Sequence, residues 1–183
     1  HAFRALYYHE LVQIMEYKYP TDTRYSYTLP TNNVKNLGVS IVTEKTTNAE
    51  ASDNPRATVD EVYDLVLSDL KLAEQYLDGY ARTALVQPNL PVVYGLFARV
   101  YATLASRVDA SAKYKDKTAY WQEALKYADL AISTSGCSPL TKEQWLDTSN
   151  GFNTAISSWM LCMSLVKESD AVQTGIINWI SWM

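Results

Sequence analysis

From Thr58 the chain reads TVDEVYDLVLSDLKLAEQYLD, and this stretch constrains the fold more than any other. Val59, Val62, Val66, Leu70, Ala73 and Leu77 recur at the spacing of three and four that lines one side of an α-helix. Thr58 with Glu61 three positions on is a capping-box pattern, in which each side chain bonds the other residue's backbone N–H, and Asp60 suits the positive end of the helix dipole. A helix over 58–78 follows, with one face to bury. Asp69 interrupts that face, between Val62 and Tyr76 on the helical wheel. A carboxylate buried there without a partner is too costly to persist.

Three more segments carry the same periodicity. Over 1–16, Phe3, Tyr7, Tyr8, Leu11, Val12, Ile14 and Met15 form a broad apolar face, with His9, Gln13 and Glu16 pointing away. Arg4 projects into the middle of that face. Arg4 and Asp69 are thus each misplaced on an apolar helix face, and a buried ion pair between them, fixing the register of one helix on the other, accommodates both. A third helix begins near Pro91 and runs over 91–108 through Leu96, Val100, Tyr101 and Leu104. A fourth covers 118–135 and stops at Gly136. Its small residues Ala124, Ala128 and Ala131 admit a close neighbour, with Trp121, Ala124, Leu125 and Tyr127 expected in the facing groove and Trp121 and Trp159 in the core. The polar stretch DASAKYKDK joins the third and fourth helices into one helix–turn–helix pair of tetratricopeptide type, with a period too irregular for an array. Residues 17–57 read as a long loop with one extended piece at 39–43. Residues 137–183 read as irregular, with a short turn at 144–146. The expected architecture is a single, mainly helical, all-α domain over 1–183.

Composition serves mainly to exclude. A chain of 183 residues is long enough for one domain with a real core. Its net charge of −4 and the lack of any Lys/Arg block argue against nucleic acid or a polybasic membrane contact. The 14 Tyr and 5 Trp, against 3 Phe, supply flat apolar faces with polar edges. Such rings suit helix packing and also surfaces that bind while staying wet. Cys137 and Cys162 have no metal-type spacing, and the apolar run over 155–166 is too short to span a bilayer.

Near-matches to catalytic motifs are each incomplete. HELVQ at 9–13 resembles a zinc-protease helix, but Gln13 stands where the second histidine must be. SLVK at 164–167 fits S-x-x-K and Ser52-Asp53-Asn54 spells a second β-lactamase motif, yet the order is reversed and no K-T-G follows. No phosphate-binding loop, dinucleotide fingerprint, nucleophile elbow or calcium loop occurs. Glu143, Asp147 and Asp170 are too scattered for a paired-carboxylate hydrolase. The expectation is a protein that is not an enzyme, with no catalytic residues, no metal and no cofactor.

Five blocks in order carry a resemblance: FRALYYHELVQIM, LGVSIVTE, RATVDEVYDLVLSDLKLAEQYL, PVVYGLFARVYATLA and YWQEALKYADLAISTSGCSPL. Arg4-Ala5, Asp69-Leu70 with Ala73, Ala98-Arg99-Val100-Tyr101, and Ala124 with Tyr127-Ala128 match the pattern of the SusD/RagB family, surface-exposed lipoproteins of Bacteroidetes that bind glycans. Residues 16–36 depart from that pattern as an insertion, and Ser40 replaces a proline. The family's N-terminal segment with its lipid-bearing cysteine is not seen, so the chain resembles an internal piece of a longer protein. The resemblance implies tetratricopeptide-like helix pairs, location at the surface of the outer membrane, and membership of a nutrient-uptake complex. It implies two partners, an oligosaccharide or other nutrient and a SusC-like TonB-dependent transporter, with membrane attachment only through the lipid. Sugar would stack on aromatic faces while polar groups hold its hydroxyls. Asn178, Trp179 and Trp182 after the fourth helix are the first candidates for that contact, and Tyr25 and Tyr27 in the inserted loop the second. The alternative is a tetratricopeptide-type protein-interaction scaffold that binds no sugar.

Overall fold

The capping box at Thr58 forms as its spacing requires. Thr58 accepts from the Glu61 N–H, the Glu61 carboxylate accepts from the Thr58 N–H, and a helix runs over Val59–Tyr76. This is α3 of a computed structural model that describes residues 1–16, 36–107, 113–149 and 157–162. The other helices are α1 (Ala2–Met15), α2 (Asn48–Ser52), α4 (Leu90–Ser106), α5 (Lys117–Ser135) and α6 (Lys142–Leu146). The chain is all-α, with no strand among the described residues. None of these helices is long and apolar enough to cross a membrane. The chain divides into two compact units, His1–Tyr80 with Asn89–Ser135, and Ala81–Pro88 with Gly136–Met183.

In the first unit α3 packs against both α1 and α4, and α4 makes its most extensive contact with α5. The buried stripe of α3 is Val59, Val62, Tyr63, Val66, Asp69, Leu70 and Ala73. Pro91 lies in the first turn of α4, whose buried side carries Val92, Val93, Leu96, Phe97, Val100, Leu104 and Ala105. Gly136 ends α5 in the left-handed region, at a φ of 66°, where a residue without a Cβ meets no strain.

Two faces differ from the sequence expectation. On α1 the buried residues are Ala2, Ala5, His9 and Val12, while Phe3, Tyr7, Leu11, Ile14 and Met15 are exposed. Apolar residues run almost all the way round this helix, so periodicity selects no side. The seam is set by fit: small alanines let the α1 backbone approach α3, whereas large rings would hold it off. On α5 the seam is Ala124, Tyr127 and Ala131, and Trp121 and Leu125 lie outside it, 51% and 65% exposed. The Tyr127 ring stacks on Phe97 with centroids 4.3 Å apart and fills the groove that Trp121 was expected to enter.

The tyrosines act chiefly as packing. A chain of ring contacts runs from His9 through Tyr63, Tyr114, Tyr120, Tyr101 and Tyr127, linking α1, α3, α4 and α5. The described half of the long loop is also ordered by contacts. Backbone bonds join Gly38 to Ala57 and Val59 to Asn36, around one bridge between Leu37 and Thr58. The piece over 39–43 forms no strand; side chains hold it, with Ser40 donating to the Asn54 carbonyl and the Val42 N–H donating to the Tyr8 hydroxyl. Arg56 reaches back to the carbonyls of Met15, Leu37 and Gly38, closing the C-terminal end of α1. Glycine is needed at 38: a Cβ there would stand 3.0 Å from Val62 Cγ2 and 3.4 Å from Val12 Cγ2, inside the seam between α1 and α3.

Candidate ligand-binding cleft

Asn178, Trp179, Trp182, Tyr25 and Tyr27 lie outside the described residues, as do Ser164, Lys167 and Asp170. Arg4 and Asp69 do meet. Arg4 donates from Nε to Asp69 Oδ2 at 2.6 Å and from Nη2 to Oδ1 at 2.8 Å, a two-pronged contact. Asp69 is 1% exposed, and His1 Nδ1 also lies against its Oδ1. The outer edge of the guanidinium bonds Glu44. The Asp69 hydrogen bond raises the Arg4 pKa above its ordinary value, so the cation is permanent. Both charges are committed to one another on the α1–α3 seam.

The remaining motif residues are likewise engaged by the fold. Gln13 donates to the His9 carbonyl at 3.0 Å and lies 3.1 Å from His9 Nε2, where a zinc site would need a second imidazole. Burial lowers the His9 pKa, with the Arg99 charge adding to the effect. Among the described residues no group of three His, Cys, Asp or Glu side chains is placed to hold a metal. Ser52 donates to the Asn48 carbonyl and Asn54 to that of Ile41, so two members of the Ser-Asp-Asn triplet serve local structure. Burial pushes the phenols of Tyr63, Tyr101 and Tyr127 up to about 12, leaving none of them ionised near neutral pH.

One concave surface lies in the second unit. Leu140, Thr141, Lys142, Trp145, Ser158 and Trp159 line an open cleft of about 590 Å³, a size suited to a ligand of a few rings. Its first wall is α6. Thr141 accepts from the Gln144 N–H, and the Gln144 side chain accepts from the Thr141 N–H at 2.9 Å. This capping box starts the helix at a fixed residue, so Lys142 and Trp145, three apart, share one side. Its second wall, over 157–162, is held at two points of the 82–87 turn. Arg82 donates to the Met160 carbonyl, and the Cys162 N–H donates to the Leu85 carbonyl at 3.1 Å. The turn itself is closed by Gln87, whose side-chain oxygen accepts from the N–H groups of Thr83 and Ala84.

The described residues of the cleft therefore present two indoles, one aliphatic side chain, two hydroxyls and one ammonium group. Trp145 is 57% exposed and Trp159 half-buried, so Trp159 is not the core residue expected from the sequence. Trp145 was absent from the sequence-derived candidates, although Thr141 followed by Gln144 is the signal that places it on a capped helical turn. A second, more polar hollow of about 400 Å³ lies over Ile41, Thr43, Lys45, Thr46, Glu50, Asp53 and Asn54. Several of its polar groups bond within the loop: Thr46 accepts from the Thr43 N–H, Glu50 from Thr47, and Asn54 donates to Ile41.

A family model described as starch-binding, associating with outer membrane, matches residues 1–102. The chain belongs to this SusD-like family. No curated protein matches it, and no solved structure does. The matched span of the SusD-like chain includes α1, α2, α3 and most of α4, with the Arg4–Asp69 pair. The Trp145–Trp159 cleft lies beyond that span.

Proposed function

We propose that this SusD-like chain is a non-catalytic binding component of an outer-membrane nutrient-uptake complex. It captures an oligosaccharide by aromatic stacking and passes it to a SusC-like TonB-dependent transporter. The family's description as starch-binding and outer-membrane-associated supports the ligand class and the location. The observation that carries the reading is the cleft with Trp145 and Trp159 in its lining. The C–H faces of a pyranose cover an indole, and the hydroxyls of Thr141 and Ser158 with the Lys142 ammonium orient the ring's polar edge. Asn178, Trp179 and Trp182, with Tyr25 and Tyr27, are proposed as additional contacts of the same ligand. Arg4 and Asp69 are proposed to set helix register and take no part in binding.

Isothermal titration of oligosaccharides into the chain tests this. Binding should be lost in the Trp145→Ala/Trp159→Ala double variant while its far-UV circular dichroism is retained. Equal affinity in the folded double variant would remove the cleft from the reading. A protein-interaction scaffold is the second reading, favoured by the exposed stripe of Trp121, Leu125 and Ile132 on α5. It predicts transporter binding that depends on those three residues, and no affinity for any oligosaccharide.

A further inference from the structure

The described lining of the Trp145–Trp159 cleft carries charge of one sign. Among the described residues of its lining Lys142 is the one with a charge, and these include no carboxylate or side-chain amide. Glu143 and Asp147 flank Lys142 and Trp145 in sequence without entering that lining. Recognition of a neutral sugar by its hydroxyl protons needs acceptors, which carboxylates and amides supply best. Here the two available hydroxyls are modest acceptors, and Thr141 Oγ1 already accepts from the Gln144 N–H at 3.2 Å. The ammonium contributes three donors and no acceptor. Such a surface complements a ring whose substituent only accepts.

Resting on the oligosaccharide reading above, we infer that the cleft selects a pyranose bearing an anionic group, with Lys142 on the anion and Trp145 and Trp159 on the ring. The indoles supply affinity that is insensitive to charge, and Lys142 supplies the discrimination. Carboxylate and sulfate share the required chemistry, a compact anion with two or three acceptor oxygens. The chain's net charge of −4 opposes approach of any anion, so the selectivity is local to the cleft.

The test is titration of four probes into the chain: tetragalacturonate, its methyl ester, a sulfated galacto-oligosaccharide and maltotetraose. Tetragalacturonate or the sulfated probe should bind about fivefold or more tightly than the ester and maltotetraose, as one charge-assisted contact at a half-wet site provides. Which of the two leads identifies carboxylate or sulfate as the natural group. Lys142→Gln should remove that advantage, so that acid and ester bind alike, and Lys142→Arg should restore it. Raising salt from about 0.05 M to about 0.5 M should weaken the charged probe alone. Ester and acid binding equally, or an undiminished preference in Lys142→Gln, overturns the inference while the oligosaccharide reading stands. No binding by any probe, with the protein folded, overturns both.

Discussion

Arg4→Met should destabilise this chain more than Asp69→Asn, although both break the same pair. In Arg4→Met the Asp69 carboxylate stays 1% exposed and loses its two bonds of 2.6 and 2.8 Å, keeping only the His1 imidazole. A buried charge stripped of its main partner costs roughly 3–5 kcal/mol. In Asp69→Asn the side chain that loses its partner is Arg4, which is 24% exposed and still bonds Glu44. Water and Glu44 then solvate the guanidinium, and the amide retains one acceptor for it, so the cost falls to about 1–2 kcal/mol. Replacing both residues with apolar side chains, Arg4→Met with Asp69→Leu, should restore much of the loss, because no buried charge remains. Urea unfolding followed by circular dichroism would measure the unmodified chain and the three variants. For a chain of this size the Arg4→Met loss corresponds to a drop in Tm of roughly 10 °C. Equal losses in the two single variants, or a double variant as unstable as Arg4→Met, would show that burial of Asp69 is not what makes the pair matter.

Gly38→Ala should cost about 1–3 kcal/mol, because its Cβ would press on Val62 at 3.0 Å between α1 and α3. Gly95→Ala, within α4 and with no heavy atom within 4 Å of the added Cβ, should instead stabilise by about 0.5–1 kcal/mol through helix propensity; chemical denaturation of both distinguishes them. Burial lowers the His9 pKa below its usual 6.5, so on acidification the unfolded chain takes up this proton first and stability falls as the pH drops below about 6.5. Unfolding curves at pH 8 and pH 5 should show a smaller acid loss in His9→Phe than in the unmodified chain, and equal losses would refute the assignment. Thr141→Ala removes the cap of α6 at a cost of about 1 kcal/mol, and it should weaken sugar binding by loosening Lys142 and Trp145, which titration would detect.

Where local chemistry and burial demanded the same thing, the elements were readable from sequence alone. Thr58 with Glu61 started α3, Pro91 opened α4 and Gly136 ended α5, each through a bond or dihedral within four residues of its position. Which face of a helix is covered was readable for α3 and α4, where residues singled out by their spacing, such as Val62, Val66 and Leu70 or Leu96, Val100 and Leu104, are the buried ones. On α1 and α5 the choice is made by the shape of the neighbour. Ala5 and Val12 nest where Tyr7 and Leu11 do not, and Tyr127 occupies the groove beside Phe97. The short helix α2 was missed for a different reason: five residues show no periodicity, and only the Thr47–Glu50 capping box marked it.

The cleft was hidden because its walls come from segments with little pattern of their own. Trp145 sits on a five-residue helix, and Trp159 on a piece without regular structure that is held to a turn some seventy-five residues earlier. Family resemblance points elsewhere for a physical reason. Arg4 and Asp69 are two buried groups that must match each other, and the family match over 1–102 spans them. A ligand contact on an exposed wall answers to the ligand instead, so it can change without disturbing the helices. The span that matches the SusD-like family holds α1, α3 and most of α4, while Lys142, Trp145 and Trp159, on which the proposed selection rests, lie beyond it.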